Sequence, residues 1–141
     1  MPSYINIQND LSATITVATN VNPSLSSDYW GIYTNVAITG QATRMLWMDR
    51  DVGITNGKTW IFTTAFTYAG VAIELQEQLT GTALSSDIAI QITAGDQRTG
   101  WAGNNTSLLF NGTDGNQYEI NGTYISDGTY NDVTYTLLDL G

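Results

Sequence analysis

Two carboxylates flank an arginine in the segment MLWMDRDVGITNGK, as Asp49, Arg50 and Asp51. Residues two apart on an extended backbone point the same way, so Asp49 and Asp51 form a candidate acid/base pair. Glycoside hydrolysis uses two carboxyls about 5–10 Å apart. A polar loop that closes on its own arginine accounts for the same residues more simply, and Glu74 and Glu77 are read the same way. The 141 residues include no His and no Cys. That removes the commonest general base, serine triads, thiolate nucleophiles, HExxH sites and thiolate zinc sites. The sequence therefore predicts a protein that is not an enzyme.

Asp114, Asn116 and Glu119 crowd oxygen ligands into the short segment DGNQYE. Calcium takes six to eight oxygens, and the EF-hand spacing is absent. Asp127, Asn131 and Asp132 add ligands only if two hairpins meet. Turn chemistry explains these residues, and no metal or cofactor is expected.

Aromatic residues in polar loops carry more information. Tyr29-Trp30-Gly31 follows the loop NVNPSLSSD, and Trp101 lies between Gly100 and Gly103 in RTGWAGNNTS. A ring there has no evident core face to fill, unless it plugs an end of the fold. Exposed rings stack on sugars or insert among lipid headgroups, and neighbours such as Arg98 and Asn104 supply directional hydrogen bonds. Trp47 and Trp60 sit inside apolar runs and are expected in the core. Sequons at Asn104, Asn105, Asn111 and Asn121 are read as chance products of an Asn/Thr/Gly-rich chain.

The elements that position these groups read as strands. Ile5 and Ile7 alternate with Asn6 and Gln8, as Ile73 and Leu75 do with Glu74 and Gln76. Ile88, Ile90 and Ile92 alternate with Ala89 and Gln91, and Val133, Tyr135 and Leu137 with Thr134 and Thr136. Period two puts one set on a core face. The uniformly apolar runs Met45 to Met48, Trp60 to Phe62 and Leu108 to Phe110 suggest strands buried on both faces, or edge strands with a covered second face. Glu74 to Leu79 reads as strand running into a loop. Asn56-Gly57, Asn111-Gly112, Asn121-Gly122, Asp114-Gly115 and Asp127-Gly128 suit tight turns. Short strands punctuated this often predict an all-β, single-domain antiparallel β-sandwich of about ten strands over residues 1–141.

Thirteen acidic against four basic residues give a formal net charge of −9. Phosphate binding needs clustered Lys and Arg, so nucleic acid is excluded as a partner, as is polybasic attachment to anionic lipid. No apolar run is long enough for a membrane-spanning helix. The opening MPSYINIQND has neither a basic segment nor an apolar run, so no signal peptide is visible. Cytoplasmic storage and non-classical secretion both fit, and the compartment is left open.

The run from Met45 through Ile92 resembles, in layout, the actinoporins and fungal fruit-body lectins. It has a strand (Met45 to Met48), a loop with a basic residue and glycines (Asp49 to Gly57) and a long apolar strand (Lys58 to Phe66). A hairpin then leads to a Gly-Val strand (Gly70 to Leu75), and a further loop to an Asp-Ile-x-Ile strand (Asp87 to Ile92). The opening YINIQNDLSATITV is similar to that family's first hairpin. The resemblance implies an actinoporin-like β-sandwich that binds a cell-surface glycan or glycolipid. By position it implies sugar contacts from Asp49, Arg50, Asp51, Asp87 and Arg98. The family's signature HNYKRW is absent. So are the amphipathic helix before the first strand and aromatic residues in Thr80 to Ser86, which places the chain nearer the lectins than the pore formers. Tyr29, Trp30, Trp101 and Asn104 complete the candidate ligand-binding set. A membrane surface is the alternative partner, through a cytolysin-like relative. A self-assembling structural subunit is the second alternative, and a homo-oligomer is expected.

Overall fold

The computed structural model describes residues 3–24, 36–49, 57–81, 86–126 and 131–141. Among these, eleven strands form two sheets, one more strand than the turn signals suggest. The five-stranded sheet holds β1 (Ser3–Asn9), β4 (Ala42–Asp49), β9 (Thr106–Asn111), β10 (Gln117–Ser126) and β11 (Asn131–Asp139), in the order β4-β1-β11-β10-β9. The six-stranded sheet holds β2 (Ile15–Asn22), β3 (Val36–Ile38), β5 (Thr59–Tyr68), β6 (Val71–Gly81), β7 (Ser86–Ala94) and β8 (Gln97–Arg98), in the order β3-β2-β5-β6-β7-β8. Every pairing is antiparallel except β1 with β11, which is parallel. The fold is all-β, two sheets face to face, as the alternation predicts.

The alternating sets meet between the sheets. Ile5 and Ile7, Ile73 and Leu75, Ile90 and Ile92, and Val133 and Tyr135 are all buried. Each such apolar side chain contributes about 1.5–3 kcal/mol when removed from water. Gly122 in β10 marks the closest approach, because a Cβ built on it lies 2.9 Å from Cδ1 of Ile90 in the opposite sheet. Two polar contacts lie within this core. Thr19 and Thr64 face each other across β2 and β5 with their hydroxyls 2.8 Å apart. The buried Tyr135 hydroxyl donates to the Gln76 carbonyl at 3.3 Å. Burial, and then the buried Glu77 carboxyl beside it, push the Tyr135 phenol well above its ordinary range.

Four expectations need correction. The first concerns the opening residues, which do not make a hairpin: β1 and β2 belong to different sheets. The Asn9 amide turns this corner. Its Nδ2 donates to the carbonyls of Ala13 (2.9 Å) and Ile38 (3.0 Å), while Oδ1 accepts the Leu11 N–H at 3.0 Å. Asn-Asp reads as a tight-turn pair because short polar side chains suit both a turn and this crossover. The second concerns Asn121-Gly122, which is no turn; it lies within β10, where the missing side chain serves packing. The third is the loop expected after Leu75, since β6 continues as strand to Gly81. The last is coverage of the apolar runs. Met45 is 41% exposed and Leu109 46%, because β4 and β9 are the edge strands of their sheet.

One end of the sandwich, where β1 finishes at Asn9, is closed by hairpins that touch. Ala69 and Gly70 both take positive φ between β5 and β6, as a tight hairpin turn requires. The Thr113 N–H of the β9–β10 connection donates to the Ala69 carbonyl at 2.8 Å. Beneath it, Tyr68 meets Tyr118 edge-on with ring centroids 5.1 Å apart. The space left among Phe66, Tyr68, Phe110, Tyr118 and Leu137 is about 10 Å³, water-sized rather than ligand-sized.

Candidate functional site

Arg98, Trp101 and Asn104 come together along one side of the six-stranded sheet. β8 pairs Arg98 with Thr93. The Thr99 N–H then donates to the Ile92 carbonyl at 3.0 Å, and Thr99 Oγ1 accepts the Ile92 N–H at 3.1 Å. Pairing resumes at Ala102, whose N–H and carbonyl both bond Ile90 at 2.8 Å. Between those two anchor points Gly100 and Trp101 stand opposite the single residue Gln91, one residue in excess. They make a bulge at the sheet margin, and Gly100 takes the positive φ of 79° that the bulge needs. Trp101 is 42% exposed, so the ring does not plug the end of the sandwich. Asn104 and Arg98 are exposed as well.

Beside the bulge runs a polar ladder that sequence reasoning missed. The register aligns Asn20, Thr63, Gln76 and Gln91 across β2, β5, β6 and β7 on the face turned away from the core. Gln91 Nε2 donates to Gln76 Oε1 at 2.9 Å, and Gln76 Nε2 donates to Thr63 Oγ1 at 3.2 Å. Gln91 lies between Ile90 and Ile92, the two residues that anchor the bulge, and is itself only 6% exposed. Each amide offers two donors and an acceptor, fixed in direction by the ladder. The next row, Ala18, Ala65, Glu74, Thr93 and Arg98, adds one charge of each sign. Each residue reads as an ordinary outward strand position; only the register reveals the row.

The remaining candidates fall elsewhere. Asp49 closes β4 opposite Ser3, and Asp87 lies near the start of β7 opposite Thr80. Both positions are at the end of the sandwich opposite Asn9, where β2 stops at Asn22, β6 at Gly81 and β10 at Ser126. Tyr29, Trp30, Arg50 and Asp51 lie outside the described residues. β4 and β8 are at opposite lateral margins, since β3 packs near β4 and β7 near β9. Five strand spacings of about 4.8 Å run from β3 to β8, roughly 24 Å, so Asp49 does not share a site with Arg98 and Trp101.

Glu74 is exposed on the outer face and Glu77 is buried in the core, so the two share no face. Asp114 accepts the Tyr118 hydroxyl through Oδ2 and the Asn116 N–H through Oδ1, at 2.9 Å for the latter. The Tyr118 hydrogen bond, then that of Asn116, holds the Asp114 carboxyl below its ordinary 3.8. The same bond to Asp114 and burial push the Tyr118 phenol up to about 12. Among the described residues, no group of three or more acidic side chains converges as a metal site. No helix there is long and apolar enough to cross a membrane.

No protein-family model matches this sequence, and no curated protein matches it.

Proposed function

We propose that this protein is a lectin-like binding module that recognises a cell-surface glycan or glycolipid. The ligand seats on the outer face of the six-stranded sheet beside Trp101. The observation that carries the reading is the pinned bulge. An aromatic ring stands in solvent on backbone tied to β7 on both sides, next to an oriented row of neutral amides. A sugar ring offers an apolar face to stack on and hydroxyls that need partners already fixed in place. Trp101 supplies the stacking surface; the half-buried Gln76, held in place by the buried Gln91, supplies an amide, and Arg98 and Asn104 supply rim contacts. The near-neutral rows of this face suit an uncharged ligand better than an ionic one.

The test is a glycan array probed with the whole protein, followed by titration of the hits with tryptophan fluorescence. Trp101→Ala and Gln91→Ala are expected to weaken the best hit about tenfold or more, the equivalent of 1.4 kcal/mol. Trp101→Ala leaves thermal unfolding nearly unchanged. An array without hits, including glycolipid probes, overturns the reading, and so does a Trp101→Ala protein that binds like the wild type.

A further inference from the structure

Among the described residues four strands form the margins of the two sheets, and three of them are blunted. β3 has three residues and β8 two, too short to template a partner. β4 carries a bulge where the register shifts between Ile5 and Asn6, and it also carries the exposed Arg44. β9 has none of these protections. Its six residues, Thr106-Ser-Leu-Leu-Phe-Asn111, include no charge and no proline, and no register shift interrupts its pairing. Leu109 is 46% exposed at its centre.

The hydrogen-bond parity shows which backbone groups face outward. Gly112 N–H donates to the Asn116 carbonyl at 2.9 Å, while the Gln117 carbonyl turns the other way and accepts from Leu140 at 2.8 Å. Alternation from that point directs the N–H and C=O of Phe110 and Leu108 toward β10. It directs those of Ser107, Leu109 and Asn111 to the open side. Among the described residues β9 pairs with β10 alone.

We propose that β9 docks against β9 of a second copy of this chain. The two run antiparallel about a two-fold axis at Leu109 and join two five-stranded sheets into one. Ser107, Leu109 and Asn111 each donate and accept main-chain hydrogen bonds across the junction. Leu109 lies beside the partner's Leu109, and Ser107 beside the partner's Asn111. The strand is therefore complementary to itself, as an isologous contact demands.

Charge leaves this margin open to a second copy. Two molecules of net charge −9 repel over most of their surfaces, and β9 brings no charge into contact. The nearest carboxylate on the outer face is Glu119, opposite Leu109 in β10. In the joined sheet it lies three strand spacings from its counterpart, about 14 Å. That exceeds the Debye length of about 8 Å at physiological salt, so the repulsion is screened.

Sedimentation equilibrium on the intact chain tests this, paired with hydrogen exchange at low and high protein concentration. A reversible shift from 15.3 kDa toward twice that mass is expected. The amides of Ser107, Leu109 and Asn111 should slow as concentration rises, whereas those of Leu108 and Phe110 are slow throughout. Leu109→Lys brings two like charges together and raises the dissociation constant at least tenfold. Leu109→Pro removes only an outward N–H and abolishes pairing; if that variant misfolds, Leu109→Lys still decides. The proposal is overturned by a monomer at every concentration. A dimer whose β9 amides exchange at a concentration-independent rate overturns it too, as does one that Leu109→Lys leaves intact.

Discussion

Gly122→Ala tests whether the two sheets are in register as described. Gly122 occupies an ordinary position in the β10 ladder, opposite Tyr135 on one side and Thr106 on the other. Only space calls for glycine there. An added Cβ lies 2.9 Å from Ile90 Cδ1 and 3.4 Å from Tyr135 Cε1. Overpacking of that kind costs about 1–3 kcal/mol. Replacing a strand glycine returns roughly 0.5–1 kcal/mol of chain entropy, leaving a net loss of about 0–2.5 kcal/mol. Ile90→Val, which deletes the clashing methyl, costs about 0.5–1.5 kcal/mol alone. If the contact is real the two changes compensate: the double variant is about as stable as Ile90→Val. The coupling then exceeds about 1 kcal/mol, against about 0.3–0.5 for independent sites. Urea unfolding of the four proteins measures it, and each kcal/mol also moves the melting temperature by roughly 2–4 °C. Strict additivity refutes the packing of β10 on β7.

Asn9→Ala is expected to cost about 2–4 kcal/mol in denaturant unfolding, because it strands the Ala13 and Ile38 carbonyls and the Leu11 N–H at a buried corner. The Asp114–Tyr118 pair gives a pH signature at each extreme. Asp114 is depressed, so its contribution is full above its ordinary 3.8 and is lost as pH falls through the lowered value. Tyr118 is raised, so its contribution is full below the ordinary 10.0 and is lost as pH climbs through about 12. Phenolate absorbance should show Tyr118 titrating earlier in Asp114→Asn, and an unchanged titration curve sinks the pairing.

Much of the architecture is legible in the residues. Alternation in Ile88-Ala89-Ile90-Gln91-Ile92 assigns faces, and Trp60 is buried as its strand run implies. What period two cannot convey is which strand neighbours which. The Asn9 corner, the assignment of β1 and β2 to different sheets, and the Thr63–Gln76–Gln91 row all depend on long-range register. For Leu108 to Phe110 the sequence leaves open a strand buried on both faces and an edge strand with a covered second face; the edge is what forms, and Leu109 stands in solvent because among the described residues β9 ends its sheet. In the candidate site, Trp101 is conspicuous from its glycine-flanked context, and Arg98 and Asn104 follow as neighbours. The amides beside it are inconspicuous, because glutamine on an outward strand position has no distinctive spacing.

The parallel pairing of β1 with β11 has a consequence for synthesis. All six strands of the larger sheet lie between Ile15 and Arg98, so its pairing partners emerge from the ribosome well before the chain is finished. The smaller sheet has to wait. Of the described strands β11 is made last, yet it inserts between β1, made first, and β10. Until it arrives, the β1–β4 pair and the β9–β10 hairpin are unconnected fragments over a half-covered apolar layer. Contacts as remote as Asn6 with Asp132, 126 residues apart, then form together. Non-local closure of this kind is slow, and the nascent protein exposes the inner face of its larger sheet throughout the interval. Chaperone demand and aggregation should therefore peak late in translation, and premature termination before Asn131 should leave a species that is soluble only while it is held.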